Sequence, residues 1–183
     1  MTDPGSILII SGPPGAGKST VASIVVDRFA RSVLVEGDEF FRFLARGAVE
    51  PWRPEAHAQN EAVVAAAAAA TGRFAGSGFT TVFDGVVGPW FLPTFLDHLG
   101  VAPEVPVHYA ILCPPLERCL LGVMTRLDHG FRDEPVTRQM HDEFTSAGID
   151  ARHVMTELPD VPRLVADMVV DAMDAGTLLV GST

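Results

Sequence analysis

SILIISGPPGAGKST (residues 6–20) sets an apolar run against a turn that holds Gly12, Gly15 and Gly17 and closes on Lys18, Ser19 and Thr20. Residues 7–10 are apolar at consecutive positions, as in a parallel strand buried on both faces. The residues from Lys18 to position 30 read as a helix, so the glycine-rich turn joins a strand to a helix. The spacing Gly12, four residues, Gly17, Lys18, Ser19 is that of a phosphate-binding loop, in the context such a loop needs. Glycines let successive backbone N–H groups turn inward as an anion nest. The helix start adds N–H groups and the positive end of its dipole.

The cradle is therefore assigned to Gly12, Pro13, Pro14, Gly15, Ala16 and Gly17. Lys18 is the only lysine of the chain, since the other twelve basic residues are arginine. A compact ammonium reaches the β- and γ-phosphates as a point charge, a role the planar guanidinium fills poorly. Ser19 supplies a hydroxyl ligand for Mg²⁺, with Thr20 beside it. ATP and Mg²⁺ are the cofactors this stretch implies.

The rest of the chain is consistent with one domain over 1–183. Hydrophobic residues make up 48% and charged residues 20% of it, an ordinary globular balance. The net charge of −10 opposes nucleic acid as a partner and leaves a phosphate ligand to local donors and a metal ion. No run approaches the ~18 apolar residues of a membrane span, and no leader pattern opens the chain. A cytoplasmic protein, monomeric or homodimeric, is expected. Cys113 and Cys119 fit no zinc or disulfide framework, and the six histidines show no metal-ligand spacing.

Strand-like runs fall at 6–10, 33–36, 80–83, 107–112 and 152–155, the last two containing His108 and His153. Helical patterns fall between them at 18–30, 38–46, 54–75, 90–98, 115–127, 134–146 and 160–174. This alternation predicts an α/β fold with a mostly parallel sheet covered on both faces. The alanine block within 61–76 reads as a closely packed helix, opened by Pro54. The tail 177–183 is left as a short edge strand or a frayed end.

Two acids, Glu36 and Asp38, stand two apart at the end of the second strand-like run. If both belong to the strand they share a face, at the crevice where such sheets bind nucleotides. One can orient water on Mg²⁺ and the other accept the proton of an attacking hydroxyl. Asp84 ends the third strand and joins them as a metal or substrate residue, with Gly85 exposing backbone beside it. The polar segment at about 127–135, flanked by Arg126 and containing Arg132, suits a lid that neutralises a transferring phosphoryl group. Phe40, Phe41, Phe43, Trp52, Trp90 and Phe91 flank the acidic strand ends and suit a pocket for an apolar or ring-bearing substrate. Arg42, Arg46 and Arg53 share the region.

With the loop, the Glu36-x-Asp38 pair, Asp84 and the 126–135 segment in place, the chain resembles the small P-loop kinases of the nucleoside-monophosphate-kinase-like group. The branches it is most similar to are the shikimate kinases, gluconate kinases and chloramphenicol phosphotransferases. The resemblance implies a three-layer fold with a five-stranded parallel sheet in order 2-3-1-4-5 and a short lid after the fourth strand. It also implies that Glu36 serves metal-bound water and Asp38 the substrate hydroxyl, and that Arg126 and Arg132 meet adenine and phosphates. DGVVG stands where shikimate kinases carry a triple glycine, which argues against shikimate. The lid lacks the paired arginines of nucleotide kinases, which argues against a nucleoside monophosphate.

The sequence thus points to an ATP- and Mg²⁺-dependent phosphotransferase acting on a hydroxyl of a small molecule. Lys18, Asp38, Arg126 and Arg132 are its catalytic candidates. Asp38, Phe41, Arg42, Trp52, Asp84 and Gly85 are its substrate candidates, and Ser19, Glu36 and Asp84 its metal ligands. An ATP-binding regulator without an acceptor is the alternative. A guanine-specific Asn-Lys-x-Asp motif is impossible in a chain whose one lysine sits in the loop.

Overall fold

Strand β1 (Ser6–Ser11) is the middle strand of a five-stranded sheet in a computed structural model that describes residues 5–125 and 132–181. Strands β2 (Ser32–Glu36), β3 (Thr80–Asp84), β4 (Val107–Leu112) and β5 (Val154–Met155) complete it. The order is β2-β3-β1-β4-β5, and every adjacent pair is parallel. This is the order that the resemblance implied.

The consecutive apolar residues of β1 serve two separate cores. Leu8 and Ile10 face α1 (Lys18–Val26), α5 (Leu116–Thr125) and α7 (Pro162–Asp174), packing with Val21, Cys119 and Val169. Ile7 and Ile9 face the opposite layer of α3 (His57–Ala75), α4 (Leu92–His98) and α6 (Glu134–Ser146), with Ala68, Phe95 and Phe144. The short α2 (Gly37–Arg42) follows β2 directly. Both cysteines are free and buried.

The alanine block of α3 is a packing surface. Ala67, Ala68 and Ala75 are buried, and a Cβ placed on Gly72 would lie 1.7 Å from the Leu99 carbonyl oxygen. Only a residue without a side chain lets α3 approach the end of α4 this closely. Pro54 opens a 3-10 turn (Pro54–Ala56) that leads into α3.

One expectation needs correction. His153 lies in a 3-10 turn (Ala151–His153), so the last strand shrinks to two residues. The Asp150 carboxylate caps that turn by accepting the Arg152 N–H at 3.2 Å, which holds the backbone out of the sheet. Of the tail, left open between a short edge strand and a frayed end, residues 178–180 pair with the edge of β4. Leu179 bridges His108 antiparallel, and the Tyr109 and Val180 N–H groups donate to the Leu178 and Val107 carbonyls at 2.8 Å. Since β5 pairs only with Ile111 and Leu112, the tail supplies partners that the near half of β4 would otherwise lack. Helix α6 begins at Glu134, where its helical pattern placed it, and Asp133 caps it by accepting the Val136 N–H at 3.0 Å. Arg126 and the lid residues 127–131 lie outside the described residues.

Candidate active site

The turn after β1 is shaped by its neighbours. Gly12 has φ 140° and Gly15 φ 78°; a Cβ at these positions would come within 2.1 Å of the Leu112 oxygen and 2.0 Å of the Cys119 oxygen. The loop therefore lies directly on the end of β4 and on α5, and side chains are excluded there by both φ and space. Gly17, with φ 92°, precedes α1, whose first N–H groups have no acceptor within the helix. Ala16 packs its methyl into the core and donates its N–H to the Pro13 carbonyl at 3.3 Å. Burial pushes the thiol of neighbouring Cys119 up to about 11, which keeps it protonated and inert.

Lys18 is buried, and its Nζ donates to the Pro13 carbonyl at 3.1 Å, so the side chain folds back over the loop. Ser19 lies beside it on the same chamber, whereas Thr20 is exposed and does not line it.

Behind the loop, Ser11 fixes the wall of the site. Its Oγ donates to the Val87 carbonyl and accepts the Val87 N–H, both at 2.9 Å. The Tyr109 hydroxyl donates to the same carbonyl at 2.5 Å, and burial raises that hydroxyl's pKa. The end of β1 is thereby tied to the segment carrying Trp90 and Phe91.

Of the acids, Asp84 is buried and lines the chamber with Lys18 and Ser19. The register sets Glu36 beside Asp84 on the neighbouring strand. Glu36 is exposed, however, and is not among the chamber-lining residues. β2 stops at Glu36, and Asp38 occupies the first turn of α2. The shared-face expectation assumed a continuing strand, so it does not apply. Asp38 reaches the chamber from the helix instead. Arg132 is exposed ahead of α6 and is not a chamber-lining residue.

The chamber measures about 820 Å³ and runs from the loop to a wall of apolar side chains. All six substrate candidates line it: Asp38, Phe41, Arg42, Trp52, Asp84 and Gly85. Trp90 and Phe91 do so as well, while Phe43 is 74% exposed and Phe40 packs against the core. Sequence reasoning missed two contributors. One face of α3 supplies His57, Asn60, Val63, Val64 and Ala67, and α6 supplies Gln139, Met140 and Glu143. The α3 signal was present as Asn60 beside Val63, Val64 and Ala67 at helical spacing. The α6 residues carry no motif.

The residues fit a nucleotide tail, because side chains are kept out of the cradle by steric contact and it ends on a helix N-terminus. Among the described residues no three His, Cys, Asp or Glu gather as metal ligands. Mg²⁺ does not require such a cage, since one or two carboxylates with phosphate oxygens and water suffice. Ser19 and Asp84 are the oxygen donors available at the loop.

Sheet order, loop and chamber together define the fold of the small P-loop kinases. An APS kinase from Mycobacterium tuberculosis, solved with AMPPNP and APS, aligns at TM-score 0.68 and 15% identity over 93% of this chain and 98% of its own. The tunicamycin resistance protein of Deinococcus radiodurans aligns at TM-score 0.67 and 17% identity, over 97% of this chain and 99% of that one. Shikimate kinase from Acinetobacter baumannii, solved with shikimate, gives TM-score 0.62 and 18% identity over 95% and 96%. No protein-family model matches the sequence, and comparison with curated proteins finds no match. Among the described residues no helix is long and apolar enough to cross a membrane.

Proposed function

We propose that the chain is an ATP- and Mg²⁺-dependent phosphotransferase acting on a hydroxyl group of a small molecule. The observation that carries the reading is continuity. Pro14, Lys18 and Ser19 of the loop line the same chamber as Asp38, Asp84 and the aromatic wall. A phosphate chain and an acceptor would thus share one space. A regulator that only bound nucleotide would have no use for the second half.

In this reading, the loop amides and Lys18 hold the phosphate chain, and Ser19 with Asp84 hold the metal. When bound, ATP supplies the γ-phosphoryl group and Mg²⁺ neutralises charge on its oxygens. Asp38 takes the proton from the acceptor hydroxyl as that oxygen becomes the nucleophile. Arg126 and Arg132 would neutralise charge on the transferring group. The apolar wall excludes water, which favours transfer to the acceptor over hydrolysis.

The test is product formation. A panel of hydroxylated small molecules is incubated with ATP and Mg²⁺, and phosphorylated products are sought by mass spectrometry. Asp38→Asn is expected to lower kcat by about 10²–10⁴-fold with ATP affinity unchanged. Nucleotide binding without transfer to any member would return the reading to a regulator.

A further inference from the structure

The charges around the chamber restrict what can enter it. Among the described residues, Arg42 and Arg53 are the arginines that line it, and each pairs with a carboxylate three residues away. Arg42 Nη1 meets Glu39 Oε1 at 2.5 Å, and Arg53 Nε meets Glu50 Oε2 at 2.5 Å. His57 pairs with Glu61 at 3.5 Å and stacks on Phe91 with ring centroids 5.7 Å apart. Among the described residues, the remaining ionisable groups of the acceptor half are acids: Asp38, Asp84 and Glu143. A carboxylate or phosphate on the acceptor would therefore lose its water against apolar side chains and meet carboxylates, with the charge of each rim guanidinium already offset by Glu39 or Glu50.

The wall itself is flat and apolar. Phe41, Trp52, Trp90 and Phe91 face the chamber beside Val63 and Val64 of α3. One polar group interrupts it. Asn60 is only 7% exposed, and its Nδ2 donates to the Pro51 carbonyl at 2.7 Å, which fixes the amide. Its Oδ1 is buried and accepts no hydrogen bond among the described residues. A buried carbonyl oxygen without a donor is costly. In a chamber-lining residue, the complementary group is an N–H or O–H brought by the ligand.

We propose that the acceptor is an uncharged alcohol on an aromatic or similarly flat apolar body, with an N–H or O–H that Asn60 Oδ1 accepts. In calling this molecule the acceptor the inference rests on the phosphotransferase reading. The binding claim stands on the chamber alone.

The chain carries two tryptophans, Trp52 and Trp90, and both line the chamber, so intrinsic fluorescence reports occupancy directly. The probes are a matched pair, naphthyl-hydroxyacetamide and naphthyl-hydroxyacetate, which share ring and hydroxyl and differ as amide against carboxylate. A third probe, gluconate, is anionic without a ring. The expected result is saturable quenching by the amide at a concentration at least about tenfold below that of the carboxylate, with none by gluconate. Asn60→Leu is expected to remove most of the preference for the amide, with ATP affinity unchanged. Should that variant not fold, the matched pair on the unaltered protein decides, supported by Phe41→Ala weakening both aryl probes alike. Equal or tighter binding of the carboxylate, saturation by gluconate, or no saturation by the amide would overturn the proposal. Amide binding without phosphoryl transfer would defeat the phosphotransferase reading and leave this inference standing. Transfer to the carboxylate in preference would do the reverse.

Discussion

Replacing Ser11 with alanine removes one hydroxyl but breaks two hydrogen bonds, because Oγ both donates to Val87 and accepts from it. Ser11 is fully buried and Val87 is 1% exposed, so water cannot take over either role. The Val87 carbonyl keeps the Tyr109 hydroxyl as a donor, whereas the Val87 N–H loses its acceptor. Stranding one buried amide costs about 1–3 kcal/mol. For a chain of this length a loss of ~2 kcal/mol lowers Tm by about 4–8 °C. Tyr109→Phe alone leaves the carbonyl bonded to Ser11 and is expected to cost ~1 kcal/mol. The double variant deprives that carbonyl of both donors, so its loss should exceed the sum of the single losses. Urea titration followed by circular dichroism, with thermal melts alongside, measures all three variants. A Ser11→Ala melt within about 1 °C of the parent, or strictly additive losses, would refute this reasoning.

Two further outcomes concern the fold. Gly72→Ala should gain about 1 kcal/mol from helix propensity, yet its Cβ would meet the Leu99 carbonyl at 1.7 Å. Overpacking should dominate, giving a net loss of roughly 2 kcal/mol in the same urea titration; a stabilised variant would contradict the close α3–α4 approach. His108 is buried with its pKa lowered by burial, partly offset by Asp174. The unfolded chain then gains a proton below its ordinary pKa that the folded chain does not. Stability should therefore fall as pH drops below about 6.5, by at most about 1.4 kcal/mol per pH unit from this group. His108→Gln should flatten that slope between pH 7.5 and 5.5, as read from melts at both values.

The loop was legible because its chemistry is local. Glycines, lysine and serine at fixed offsets carry their meaning without tertiary context, and the apolar run before them declared a strand buried on both faces. Strand order was not legible from the residues, since alternation gives a parallel sheet without saying which strands adjoin; the resemblance supplied it. The shared face expected of the acid pair rested on a false premise, because nothing local signals that β2 ends at Glu36; Asp38 lines the chamber from α2, and Glu36 does not. The alanine block was taken only as packing. The N-terminal part of that same buried face walls the chamber, and Asn60 was the residue that could have shown it. His153 left the strand through a cap from Asp150, a side-chain bond that outweighs the β-branched pattern around it.

The most direct measurement is calorimetric titration of the full chain with Mg²⁺-ATP, alongside Lys18→Ala and Lys18→Arg. The parent is expected to bind, Lys18→Ala to lose at least about tenfold in affinity with its circular dichroism unchanged, and Lys18→Arg to recover little of it. No heat from the parent, or equal affinity in all three proteins, would contradict the assignment of residues 12–20 as a phosphate cradle.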